Sequence, residues 1–362
     1  MGHVTALSKF PKSFFAVENS YSLKLSPRDN LNAFLIAEEL RRRNYEVEWV
    51  RLGMIRFMVN GTYLAFRESQ APHTSKIAVD VCWDKPMTAL LLRGAGLEVA
   101  EGREFSARKY AAAIRYASRL GQPVVIKPAK GGKGIGVTVG ISLKNAFAEA
   151  FALAASLSRT VLIERQFRDC VEARFLVTGG RCVAVVGRRP PIVIGNGFDT
   201  VTQLIEAKNR MRARNPNLAK RLITMDAHRI GFIGQQGYQL SDIPKEGDEI
   251  VIDLKAGLST GADSFDLTDY VHSSFLDVSA RATAAVFNAD PAGVDILARD
   301  FAKPAEAGNY MICEINTRPG LGGHHFPVYG TSRNVASPIV DHALRVAART
   351  GLQEDEGERP RA

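Results

Sequence analysis

Long apolar runs are missing from this 362-residue chain, although 46% of it is hydrophobic. No stretch reaches the length of a membrane span, so no membrane partner is expected. Cysteine is scarce. Cys82, Cys170, Cys182 and Cys313 never stand in CxxC spacing, and buried free thiols are expected. The first residues lack a charged-then-apolar leader pattern, which points to a cytoplasmic location. The net charge is +9, yet no basic run is interleaved with aromatics, so no nucleic-acid partner is expected. An anionic small substrate, such as a nucleotide, accounts for the excess as well. No repeat recurs at a fixed period. The 23% charged content is ordinary for a globular chain long enough for two or three domains.

Residues 29–43 carry Leu31, Phe34, Leu35 and Leu40 at helical spacing with arginines in the last turn. A half-buried strand at 45–50 and a hairpin about Asn60-Gly61 follow, so residues 1–80 read as a small α/β domain. Helices are predicted at 106–121, with a Ser cap and a closing Gly, near 142–157, at 200–214, about 273–287 and from about 335 to 349. Strands are predicted at PVVIKP, at TVLIE (160–164), in a hairpin around Gly179-Gly180, at EIVIDL (249–254), and at 292–298 and 310–316. This mixture is α/β in the α+β sense, with antiparallel or mixed sheets. The remaining boundaries fall at 81–165, 166–349 and a flexible tail, 350–362.

The segment VVIKPAKGGKGIGV (124–137) turns from a buried strand into four glycines and three lysines. It does not fit GxxxxGK[ST], and it lacks the last glycine of GxGxxG. It approaches the protein-kinase loop, but Lys127 precedes the glycines instead of following them, and HRD and DFG are absent. A strand ending in Lys127-Pro128 and a flexible hairpin loop remain. Lys127 can place its ammonium on nucleotide phosphates, and Gly131, Gly132, Gly134 and Gly136 let backbone N–H groups approach them. A plain hairpin turn with surface lysines is the simpler alternative.

Far downstream stand GVDIL and CEINTRPG. On a strand Glu314 and Asn316 point together, while Cys313 and Ile315 would enter a core. Asp295 lies on a neighbouring apolar strand. Asp, Glu and Asn offer only oxygens, which suits Mg²⁺ (with Mn²⁺ as a substitute), an ion that fills its other positions with water and phosphate. The simpler alternative is an ion pair between one carboxylate and Arg318.

These two stretches, in this order, resemble the ATP-grasp superfamily. The segments 75–99, 186–210, 259–272 and 333–344 extend the likeness to the ATP-grasp module of cyanophycin synthetases over roughly residues 75–345. Residues 1–74 take the place of the small pre-ATP-grasp domain. D-Ala–D-Ala ligases are similar at greater distance. The resemblance implies two α+β lobes gripping ATP and a carboxylate–amine ligase acting through an acyl phosphate on an amino acid or short peptide. A second ligase module has no room in this chain, so polymer synthesis is not expected. An ATP-grasp kinase that stops at phosphorylation is the alternative enzyme. A non-catalytic nucleotide-binding module is the third reading, against which the intact Asp295, Glu314 and Asn316 set argues.

Carried over by position, Lys85 and Lys127 would contact ATP phosphates. Residues 131–136, including Lys133, would form the lid. Glu164, Arg165, Gln166 and Phe167 would form the adenine hinge, and Glu172 would take the ribose hydroxyls. The turn with Arg318, Gly322, Gly323 and His324 would line the acceptor pocket. D-Ala–D-Ala ligases place a catalytic arginine two residues before the metal aspartate, where this chain has Gly293. Lys255 and Arg318 are therefore the candidate cations for the transition state. The basic helix 203–214 reads as a solvated face or a guide for an acidic substrate. Homodimerisation is common among such relatives.

Overall fold

The computed structural model describes residues 10–23, 30–121, 123–132, 134–142, 145–253 and 261–357. Lys133 and Lys255 lie outside these residues. After a short 3-10 turn (Lys12–Phe15), helix α1 (Leu31–Arg42) starts at Asn30, whose side chain accepts the Ala33 N–H. Strands β1 (Glu48–Arg51), β2 (Met54–Val59) and β3 (Thr62–Arg67) form an antiparallel sheet. Asn60 and Gly61 both take positive φ in the β2–β3 turn, as a two-residue hairpin requires. Helices α2 (Lys76–Trp83) and α3 (Lys85–Gly94) meet at Asp84, which caps α3 by accepting the Met87 N–H.

One lobe follows, comprising β4 (Gly102–Ser106), α4 (Tyr110–Leu120), β5 (Val124–Pro128), β6 (Thr138–Ile141), α5 (Asn145–Leu157) and β7 (Thr160–Arg165). Its sheet has the order β4-β7-β5-β6, and α4 and α5 bury Ala113, Ala117, Phe147 and Phe151 against Ile126 and Ile163. Helix α4 begins four residues later than the Ser106 cap predicts. Ser106 instead closes β4, opposite Thr160 on β7, and strand pairing overrides its capping tendency.

The larger part contains β8 (Val171–Thr178), β9 (Arg181–Arg189), β10 (Ile192–Ile194), α6 (Val201–Arg214), α7 (Ala227–Gln235), β11 (Glu249–Val251), β12 (Asp263–Asp266), α8 (Ser273–Ala285), β13 (Ala292–Ala298), β14 (Tyr310–Asn316), α9 (Gly322–His325) and α10 (Ala336–Gly357). A five-stranded antiparallel sheet runs β12-β9-β8-β13-β14. Of the predicted strand at 249–254, the described residues form it over Glu249–Val251, where it pairs with β10. Helix α10 runs beyond the expected end at 349. No helix among the described residues is long and apolar enough to cross a membrane.

Period-two alternation gives the five-stranded sheet two working faces. Phe175 and Val177 enter one core with Phe275 of α8, and Phe10, Phe15 and Tyr329 close it against Phe265. Leu176 and Ala184 face the other way, into a core built from Ile36 and Leu40 of α1 and Ile339 and Val340 of α10. The N-terminal segment therefore shares its core with the last helix and the central sheet.

The cations of α6 are only partly solvated. Lys208 and Arg212 point inward to Asp263, at 2.7 and 3.1 Å, and Arg212 also donates to the carbonyls of Gly261 and Arg221. Buried charges persist only when paired and hydrogen-bonded, so these two are a structural tie to the edge strand β12 and not a solvated face or a substrate guide.

Candidate active site

Three oxygen-bearing side chains converge on the β13–β14 hairpin. Register pairs Asp295 with Glu314, and Asn316 lies one step along the same face. The Asn316 amide donates to Glu314 Oε1 at 3.0 Å and Asp295 Oδ2 at 3.4 Å. The register shifts by one residue after Asp295, so that Ile296 opposes Ile312 and Cys313 is left over in a bulge. The expectation that Cys313 enters a core is corrected here: the bulge turns it to the cleft. Burial pushes its thiol, like those of Cys82, Cys170 and Cys182, up to about 12, and all four are free.

Pairing also recruits residues that sequence reasoning missed. Asp295 lies opposite Arg174 of β8, whose guanidinium donates two parallel hydrogen bonds to the carboxylate, each 2.6 Å. Burial works against the charge of Asp295, but Arg174 outweighs it and holds the carboxyl below its usual range. Arg188 of β9, one strand further, donates to Glu172 Oε1 at 2.9 Å. Burial raises the Glu172 carboxyl despite that arginine. Gly293 leaves the room that Arg174 occupies, because a Cβ there would lie 3.1 Å from Arg174 Cδ. The missing arginine at position 293 thus has a neighbour from the next strand in its space. Glu172, Arg174, Arg188, Asp295, Glu314 and Asn316 line one face of one sheet.

The small lobe supplies the opposite wall. Lys127 ends β5, is buried, and places its Nζ 2.6 Å from Glu164 Oε2 on β7. Burial penalises the ammonium, but Glu164 and then Cys313 and Glu314 hold it above its ordinary value. Lys85 opens α3 and donates to the Gly131 carbonyl, while its own N–H reaches the Ala129 carbonyl, so the helix is docked on the base of the glycine loop. Burial lowers the Lys85 ammonium, with Glu314 opposing. In the loop, Gly131, Gly134 and Gly136 take positive φ, and a Cβ at Gly136 would come within 2.5 Å of Leu157. Between the lobes lies a narrow crevice walled by Lys85, Glu164, Cys313 and Glu314.

Other predicted residues fall elsewhere. The backbone N–H groups of Arg165 and Gln166 already donate to the carbonyls of Glu101 and Pro123, and the Arg165 side chain pairs with Glu101 at the lobe edge. Phe167 lies beneath the Arg299 guanidinium, 5.4 Å from ring centre. Arg318 is half exposed and 3.7 Å from Glu68. Gly322 is packed against Asn217 and Leu31, where a Cβ would meet atoms at 2.5 and 2.7 Å. Gly323 faces Val186 with ordinary contact. His324 is buried, neither ring nitrogen has a hydrogen-bond partner, and Arg174 and Arg188 lie within its electrostatic reach.

Burial depresses His324 to about 3 and His325 to about 4, so both are neutral at physiological pH. The unfolded chain takes up protons on these rings below about 6.5, whereas the native state does not until pH 3–4. Stability is therefore fully present above 6.5 and falls as pH drops toward 4. Between pH 7 and 5 each ring is expected to cost about 2 kcal/mol, read as a lower urea midpoint. His325→Gln can still accept the Ala336 N–H that His325 Nε2 accepts at 3.2 Å, and should shrink that loss. An undiminished loss in the variant would contradict the assignment.

Residues 84–186 match the family described as carbamoyl-phosphate synthase L chain, ATP binding domain. The chain is 32% identical over 305 residues to a cyanophycin synthetase of Geminocystis herdmanii, covering 82% of this chain and 34% of that protein. It is 31% identical over 263 residues to the glutathione biosynthesis bifunctional protein of Desulfotalea psychrophila, covering 71% and 33%. It thus spans about a third of the length of these curated relatives. Its fold is shared with a bifunctional glutathione synthetase from Pasteurella multocida, at TM-score 0.69 and 23% identity, over 92% of this chain and 45% of that one. The lysine-first glycine loop, the carboxylate hairpin and these likenesses agree: the chain belongs to the ATP-grasp family.

Proposed function

We propose that the protein is an ATP-dependent carboxylate–amine ligase, joining the carboxylate of an amino acid or short peptide to an amine through an acyl phosphate. The observation that carries this reading is the single sheet face on which Arg174 and Arg188 stand beside Asp295, Glu314 and Asn316, with Lys127 and Lys85 both within electrostatic reach of Glu314.

Lys127 and Lys85 bind and orient the ATP phosphates, with the glycines of the 131–136 lid beside them. Glu164 keeps Lys127 charged while it is buried. The oxygen-only set Asp295, Glu314 and Asn316, gathered within 3.4 Å, fits Mg²⁺ and would hold it. When bound, that ion neutralises phosphate charge. Arg174 and Arg188 stabilise charge on the transferring phosphoryl group, in place of an arginine at 293. The substrate carboxylate oxygen bonds to the γ-phosphorus as the bond to ADP breaks. The amine nitrogen then bonds to the acyl carbon, phosphate leaves, and the amine gives up a proton. His324 is too weak a base and too deeply buried to take that proton. Glu172 is the ribose candidate, although Arg188 now holds it.

The test is ADP release over pairs of amino acids and dipeptides, with mass spectrometry of products. Turnover should need two substrates and yield an amide. ADP release at full rate with a single substrate, and a phosphorylated product, would overturn the proposal.

A further inference from the structure

We infer that His73, Asp290 and His342 form a second metal site, outside the nucleotide cleft, for a divalent transition ion of the zinc type. The three come from distant parts of the chain: the loop before α2, the loop before β13, and α10. One ligand atom of each lies within 4.8 Å of the others. His73 Nε2 is 3.6 Å from Asp290 Oδ1, and His342 Nε2 is 3.5 Å from Asp290 Oδ2. These separations are long for hydrogen bonds. The two histidines approach different oxygens of the one carboxylate, so an ion among them would take both imidazoles and one or both Asp290 oxygens.

The surroundings are built for a ligand set. Both ring nitrogens of His73 are shut from solvent without a hydrogen-bond partner, a costly state that a metal bond would relieve at Nε2. The two imidazoles meet edge to face with centroids 4.9 Å apart. The Thr178 hydroxyl donates to Asp290 Oδ1 at 2.9 Å and the Gly179 N–H to Oδ2 at 2.6 Å, fixing the carboxylate while leaving each oxygen a further lone pair. The Thr74 hydroxyl donates to the Asp290 carbonyl at 2.6 Å and ties the His73 loop to it.

Ligand chemistry selects the ion. Two imidazoles and one carboxylate suit Zn²⁺, Co²⁺ or Cu²⁺, whereas Mg²⁺ and Ca²⁺ prefer oxygen. Arg345 lies near the same turn, its guanidinium 3.7 Å from the position of a Gly179 Cβ, which further disfavours an ion held by charge alone. Three protein ligands leave one position for water. A bound ion would staple the N-terminal segment to the start of β13 and to the last helix.

The experiment is a Co²⁺ titration of the chelator-stripped full chain, without nucleotide and with Mg²⁺ in excess to occupy the oxygen site. One equivalent should give the strong visible bands of four-coordinate Co²⁺, bleached by Zn²⁺. His73→Asn and His342→Asn, checked for folding by circular dichroism, should each weaken binding by more than about tenfold. Glu314→Gln should keep the bands. Only the weak six-coordinate spectrum in the unmutated chain, or strong bands surviving in either histidine variant, would overturn the site.

Discussion

Arg174→Met is expected to lower kcat by roughly 10³-fold while the KM for ATP moves only a few-fold. Among the described residues Arg174 is the cation hydrogen-bonded to Asp295, and its fork spans both oxygens. In this reading Arg174 meets the phosphoryl oxygens most closely as the bond from γ-phosphorus to ADP breaks, so the loss falls on kcat. The substitution also leaves Asp295 buried without its partner, which destabilises the fold by about 3–5 kcal/mol in comparable cases. Arg174→Lys separates the two effects. It restores a positive charge and much of the stability, but a lysine cannot form two parallel hydrogen bonds, so turnover should stay low. Steady-state kinetics with urea unfolding of both variants checks this. Wild-type kcat in Arg174→Lys would show that charge alone suffices there.

Glu314→Gln should remove most Mg²⁺-dependent ADP formation, by roughly 10²-fold or more, with the fold intact. The amide is isosteric and can still meet Asn316, which now donates to Glu314 at 3.0 Å. What disappears is one of two carboxylates in the oxygen set, and with it affinity for a hard cation. Raised Mg²⁺ should restore part of the rate. Near-normal turnover at ordinary Mg²⁺ would remove Glu314 from the metal set.

Much of this was legible in the chain. Strands β13 and β14 fall where predicted because buried apolar runs bounded by turn residues have no competing periodicity. The hairpins at Asn60-Gly61 and Gly179-Gly180 follow from turn chemistry, and all four positions take positive φ. The strand positions of Lys127, Asp295, Glu314 and Asn316 are legible for the same reason: each sits near the end or on the alternate face of a readable strand.

Arg174 and Arg188 were not. In sequence they are ordinary charged residues of a hairpin, and Arg174 is 121 positions from Asp295. Their role depends on β8 lying next to β13 in a register that puts Arg174 opposite Asp295. No local pattern encodes that pairing. The one available hint was negative: Gly293 has no side chain, and it leaves a space to be filled. The bulge at Cys313 was hidden similarly, since a one-residue shift in β14 shows only when its partner strand is known. The His73, Asp290 and His342 cluster spans nearly the whole chain and has no motif at all.

The account turns on a carboxylate oxygen attacking the γ-phosphorus. A pool of amino acids and dipeptides labelled with ¹⁸O in their carboxyl groups, incubated with ATP, Mg²⁺ and the full chain, tests this directly. The account predicts one ¹⁸O per phosphate released, carried from the carboxylate by way of the acyl phosphate. Phosphate bearing only solvent oxygen would mean that water, not a carboxylate, takes the phosphoryl group, and would contradict it.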